Sequence, residues 1–224
     1  MTRRSIRVLF WVSVFGVAMG YFEAAVVVYL RRIMNTGGML FPLAEGDTHI
    51  ILVELGREFF SIVMLAAVGA LAGRRFFERF CLFCLGFGVW DILYYVFLKV
   101  TINWPDSLAT WDILFLIPVP WVGPVWAPVV CSLAFIAAGI LAVRAEDLGR
   151  PIRPSVFEWL LSIAGGLLCI LSWCLDSPNI MAGGMPARYP WPIFAAGLLM
   201  AAAAFALAWR RALSGKPIHA GGAL

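Results

Sequence analysis

The chain has 224 residues, 62% of them hydrophobic and 13% charged, a balance that excludes an ordinary water-soluble domain and points to an integral membrane protein. Its net charge of +4 comes from short basic clusters set between apolar runs. Such clusters orient a chain in a bilayer, so the expected partner is lipid and no nucleic-acid function is read from the charge. Five cysteines scattered through apolar segments form no disulfide framework.

In chain order, Arg3, Arg4 and Arg7 precede an apolar run that opens like a signal peptide. The run is longer than the apolar core of such a peptide and lacks a small-x-small cleavage site, so it is expected to stay as a first spanning helix near 8–30. Further runs near 50–72, 77–99, 122–143, 156–175 and 190–209 also reach the length that a bilayer core requires. The sequence thus predicts one all-α integral-membrane domain over 1–224, a polytopic bundle of six transmembrane helices. Arg3, Arg4, Arg7, Arg74, Arg75, Arg79, Arg144, Arg150, Arg153, Arg210, Arg211 and Lys216 fall on one side of this arrangement, and Arg31, Arg32, Lys99 and Arg188 on the other. That asymmetry predicts a bacterial-type inner-membrane protein with both termini in the cytoplasm and the 33–48, 100–121 and 176–189 loops outside. Gly16-x-x-x-Gly20 and Gly69-x-x-x-Gly73 are spacings that let helices approach closely. The last run, PIFAAGLLMAAAAFALAW, is uncharged and suits tight packing or a lipid-facing wall. No internal repeat is visible, which argues against an inverted-repeat transporter.

The second run carries Glu54, Arg57 and Glu58 inside a stretch of spanning length. Ionisable side chains at bilayer depth are costly unless they find partners or water, which makes this cluster the first place to look for function. On a helix Glu54 and Glu58 stand one turn apart, with Arg57 beside them. Counted along the helices, Glu23, Glu58 and Asp91 lie about 10–13 Å below the outer boundary, a single acidic layer drawn from three helices. Asp91, Tyr95 and Lys99 form an i, i+4, i+8 ladder with Tyr94 beside it, and His49 sits at the outer mouth of the second run. Each has a plain alternative: Glu23 as a helix-tying acceptor, Lys99 snorkelling to the interface, Tyr94 and Tyr95 as belt aromatics, His49 as an interfacial histidine. Together, Glu23, Glu54, Glu58 and Asp91 outnumber Arg57 and Lys99 by two. Protons on the carboxyls, a protonated His49, a metal held by Glu54, Glu58, Asp91 or His49, or a cationic substrate could each balance the excess.

The stretch Trp111–Pro128, WDILFLIPVPWVGPVWAP, cannot be a regular helix, because Pro118, Pro120, Pro124 and Pro128 each remove a backbone donor. The expectation is a broken or re-entrant entry to the fourth helix, lining a polar cavity at the level of the acids. Trp104, Trp111, Trp121 and Trp126 crowd this region as an aromatic belt or a ligand-stacking wall. Cys81-x-x-Cys84 is read as a pair of buried small residues, and Glu78 and Glu158 as solvated boundary charges near arginines. There is no nucleotide-binding loop, no dinucleotide glycine pattern, no HExxH and no histidine cluster, and no cofactor is indicated.

The expected site is therefore an outward-opening cavity with Glu23, Glu54, Arg57, Glu58, Asp91, Tyr95 and Lys99 as its substrate- or ion-binding residues. Binding or transport of a small solute, cation or protons is the leading reading. An intramembrane enzyme using carboxylate acid–base chemistry on a lipid or other amphipathic substrate is the second, and a structural subunit with a membrane-protein partner the third.

Overall fold

The computed structural model describes residues 1–33 and 48–214. Most of the 33–48 loop, with Lys216 and His219, lies outside the described residues. The chain folds into helices α1 (Arg3–Ile33), α2 (Thr48–Ala72) and α3 (Phe76–Ile102), an antiparallel hairpin of β1 (Trp111–Phe115) and β2 (Trp121–Pro124), and then α4 (Trp126–Asp147), α5 (Val156–Cys174), the short α6 (Ser177–Met181) and α7 (Trp191–Ser214). Among the described residues, five helical segments are long and apolar enough to cross a membrane: α1, α3, α4, the α5–α6 segment and α7. The 25-residue α2 is also of spanning length and holds Glu54, Arg57 and Glu58 in its first half.

Helix α3 is the centre of the bundle, with α1, α2 and α4 packed around it, while α5 and α7 pair with each other. Glycine sets the closeness of these pairings. A Cβ on Gly16 would stand 2.9 Å from the Gly86 carbonyl oxygen, and one on Gly69 would stand 2.8 Å from the carbonyl oxygen of Arg79, so both small-residue spacings serve helix contact. A further close crossing carries no such spacing in the sequence: a Cβ on Gly165 would lie 2.6 Å from the Gly197 carbonyl oxygen, where α5 meets α7.

Local signals mark the helix ends. At α5 the Ser155 hydroxyl accepts the Glu158 N–H and the Glu158 carboxylate accepts the Ser155 N–H, satisfying two donors that the first turn would leave unpaired. At α3 the chain turns out through Asn103 in a left-handed conformation (φ 55°), with Pro105 two residues on barring further helix. Glu78 and Glu158 correct the sequence reading: both are buried rather than solvated. Glu78 accepts the Arg74 N–H at 2.5 Å, and Glu158 adds an ion pair with Arg211 to its capping role. Both carboxylates serve helix starts, where donors and the positive end of the helix dipole favour them.

The proline-rich stretch differs from the broken helix entry that its composition predicts. Helix α4 starts at Trp126, and the residues before it form the hairpin, with Trp111 opposite Pro124, Asp112 opposite Gly123, Ile113 opposite Val122, and an irregularity before Phe115 pairs with Trp121. Proline rules out the helix but not a short two-stranded ribbon, in which both strands are edges and Pro118 and Pro120 occupy the turn. The hairpin also ties its base to the start of α4, as Val125 and Trp126 donate to the carbonyls of Thr110 and Leu108 at 3.0 and 2.8 Å. Trp111, Trp121 and Trp126 pack with Trp173, Tyr189 and Phe194 into an aromatic cluster, with Trp121 stacked on Trp173 at 5.6 Å.

Candidate functional site

The hairpin lies across one end of the helices and is fastened there by acids. Glu58 of α2 accepts the N–H of Leu116 at the hairpin turn, at 2.9 Å. Tyr95 of α3 donates its hydroxyl to Asp112 of β1, also at 2.9 Å, and both residues are buried. Leu116 lies in the turn, where its N–H is not needed by the β-ladder, so a carboxylate from a neighbouring helix can take it without breaking strand pairing. Asp112 was overlooked as a site residue because it falls in a segment read as an external loop. The pattern Trp-Asp-Ile-Leu-Phe, one acid inside an apolar β-prone run, was the available signal.

Beneath the hairpin the deep charges arrange themselves around Arg57. Its guanidinium donates to Glu54, one helical turn back, and to Glu23 on α1. One cation therefore bridges two carboxylates, all three with side chains 15% exposed or less. Asp91 accepts the Ser132 hydroxyl of α4 at 2.8 Å. Ser132 is fully enclosed, and Gly88, one turn before Asp91, allows this approach, since a Cβ there would lie 2.5 Å from the Ser132 carbonyl oxygen.

A cavity of about 50 Å³ opens between these groups. It is lined by the acids Glu23, Glu58 and Asp91, by Tyr94 and Tyr95, and by Phe87, Trp90, Leu114 and Phe115. Thus four of the seven residues expected to bind a ligand, Glu23, Glu58, Asp91 and Tyr95, share one space. Glu54 and Arg57 stand behind that lining, where they hold Glu23. Lys99 is further out, donating to the Pro105 and Asn103 carbonyls at 3.0 and 3.4 Å. His49 lies exposed near the start of α2, apart from the cavity lining. Among the described residues, no three His, Cys, Asp or Glu side chains converge in a way that could hold a metal ion, so Glu54, Glu58, Asp91 and His49 are not gathered into such a set.

Arg31, read from the sequence only as an orienting charge, belongs to the same end of the bundle. Its guanidinium carbon lies 4.0 Å from the centre of the Trp104 ring, and its charge reaches Asp112 and Tyr94. Asp112 and Arg31 thus join on opposite sides of the charge balance and leave the excess of negative charge as it was.

Comparison with known proteins gives no match: no family model fits the chain, and no curated protein or solved structure is similar to it.

Proposed function

We propose that the chain is a six-span inner-membrane protein, with both termini cytoplasmic, whose cavity opens toward the outer face and binds or transports a small cationic solute or protons. The observation that carries this reading is the division of donors. Arg57 is committed to Glu23 and Glu54, while the hydrogen bonds that the described residues give to Glu58 and Asp91 come from neutral groups, the Leu116 N–H and the Ser132 hydroxyl. Two carboxyls facing a small cavity inside an apolar bundle call for a proton or a cation, because an unbalanced charge there is costly. The orientation is supported by the basic residues at the end opposite the hairpin. Thr2 binds Asp147, Arg75 pairs with Glu146, Arg150 reaches the Leu213 carbonyl and Arg211 reaches that of Arg153, which collects four basic clusters into one layer.

The function is tested with the purified protein in nanodiscs, following thermal unfolding and tryptophan fluorescence while cations and pH are varied. Wild type should respond to one of them, and Glu58→Gln or Asp91→Asn should remove the response. A protein indifferent to cations and pH, and unchanged by both substitutions, would put the structural-subunit reading first. The orientation is tested by cysteine substitution: an impermeant thiol reagent added outside should label Leu108→Cys and not Ser214→Cys, and the reverse pattern would invert the topology.

A further inference from the structure

The lining of the cavity narrows the kind of cation, on the premise that the cation-binding reading above holds. Three features are independent of one another. The acids Glu23, Glu58 and Asp91 share the space with the rings of Phe87, Trp90, Tyr94, Tyr95 and Phe115. A bare metal ion favours several oxygen ligands in close array, whereas an ammonium group is attracted both to carboxylates and to aromatic faces. The second feature is Trp90, which is 7% exposed and whose indole N–H meets no acceptor among the described residues. A buried donor left in this state favours a ligand that brings an acceptor. The third is size: at roughly 10–15 Å³ per water-sized site, the cavity holds about four such positions, enough for a group of about four non-hydrogen atoms.

We propose that the cavity receives a small primary ammonium group that carries a hydrogen-bond acceptor two carbons away, the chemistry of an amino alcohol such as ethanolamine. The ammonium sits against Asp91 and Glu58 with the aromatic rings about it, and the hydroxyl or ester oxygen accepts the Trp90 N–H. The same group occurs free in water and at the head of a phospholipid, so the source is decided by the experiment.

The full-length protein is reconstituted in phosphatidylcholine nanodiscs and titrated with ethanolamine, ethylamine and sodium chloride at matched ionic strength, with tryptophan fluorescence as the readout. Ethanolamine should bind, ethylamine should bind roughly threefold to tenfold more weakly for want of the acceptor, and sodium should compete only weakly. Trp90→Phe keeps an aromatic ring and removes the N–H, so it should bring the two amines to equal affinity. Phe115→Leu should weaken both amines by roughly tenfold, as loss of a desolvated ring face would. Asp91→Asn, which keeps the shape of the side chain, should weaken both amines further. If nanodiscs containing phosphatidylethanolamine raise the unfolding temperature and make added ethanolamine silent, the lipid headgroup is the source; if they do not, the free amine is.

Sodium or calcium ions that stabilise wild type through Asp91 and Glu58, with both amines silent, would overturn this inference and leave the cation-binding reading standing. Equal binding of both amines by wild type would overturn the role given to the acceptor and to Trp90. No response to any cation, with Asp91→Asn and Glu58→Gln unchanged from the parent, would overturn both.

Discussion

The two ends of the bundle use the same residue types to opposite effect. At the end where α1 starts and α7 finishes, Arg75 pairs with Glu146 and Arg211 with Glu158, and each arginine side chain is about half exposed, 50% and 51%. At the hairpin end Arg57 is 15% exposed and lies between Glu23 and Glu54, themselves 10% and 14% exposed. The partner carboxylates of the first set are as enclosed, 11% and 7% exposed, but their arginines stay in water, which screens the pairs; the second set is enclosed on both sides and must be satisfied by its own geometry. An ion pair therefore says little about stability or function until its depth is known. The basic end has charges that orient and cap; the hairpin end has charges that depend on one another and leave carboxyls facing a cavity.

Substitutions can break or sharpen this contrast. The largest effect is expected from Arg57→Ala, which leaves two enclosed carboxylates without their cation and should cost about 3–5 kcal/mol, measured by denaturant titration of the protein in mixed micelles. An Arg57→Ala protein as stable as its parent would show that water reaches this layer, and the contrast would fail. Tyr95→Phe is next. It removes the hydroxyl that Asp112 accepts and should cost about 1.5–3 kcal/mol, because the bond is made to a buried carboxyl whose other donors are few. The same measurement reads it, and hydrogen exchange at Ile113 and Val122 should rise as the hairpin loosens from α3. The smallest effects belong to charges in contact with water. Arg75→Ala, Arg211→Ala and Lys99→Ala should each change stability by about 1 kcal/mol or less. A loss at Arg211 equal to that at Arg57 would make Glu158 as dependent on its partner as Glu23, and the distinction between the ends would disappear.

The difference between the ends also explains which parts of the site could be read in advance. Glu54 and Arg57 are three residues apart on one helix, so their pairing follows from helical geometry and was legible in the sequence. The meeting of Glu23 with Arg57 depends on how α1 and α2 are rotated, and that of Asp91 with Ser132 on how deeply glycine lets α3 and α4 approach, which no local pattern specifies. Asp112 was hidden by the same limit. Its depth comes from a hairpin folded back over the helices, whereas its neighbours in sequence are those of a loop.

Composition and hydropathy alone settle that this is a membrane-type helical chain, because apolar runs of this length have few other places to go, and they place the spanning helices close to where the structure has them. The prolines of 111–128 likewise exclude a regular helix there, since a missing N–H is a local fact. That those residues become a β-hairpin, that the hairpin is held by Glu58 and Asp112, and that Glu23, Glu58 and Asp91 line one cavity with five aromatic rings were decided only by tertiary structure. The reason is physical: backbone propensity acts over a few residues, whereas the neutralisation of a buried charge depends on whichever groups the packed helices bring within about 3 Å of it.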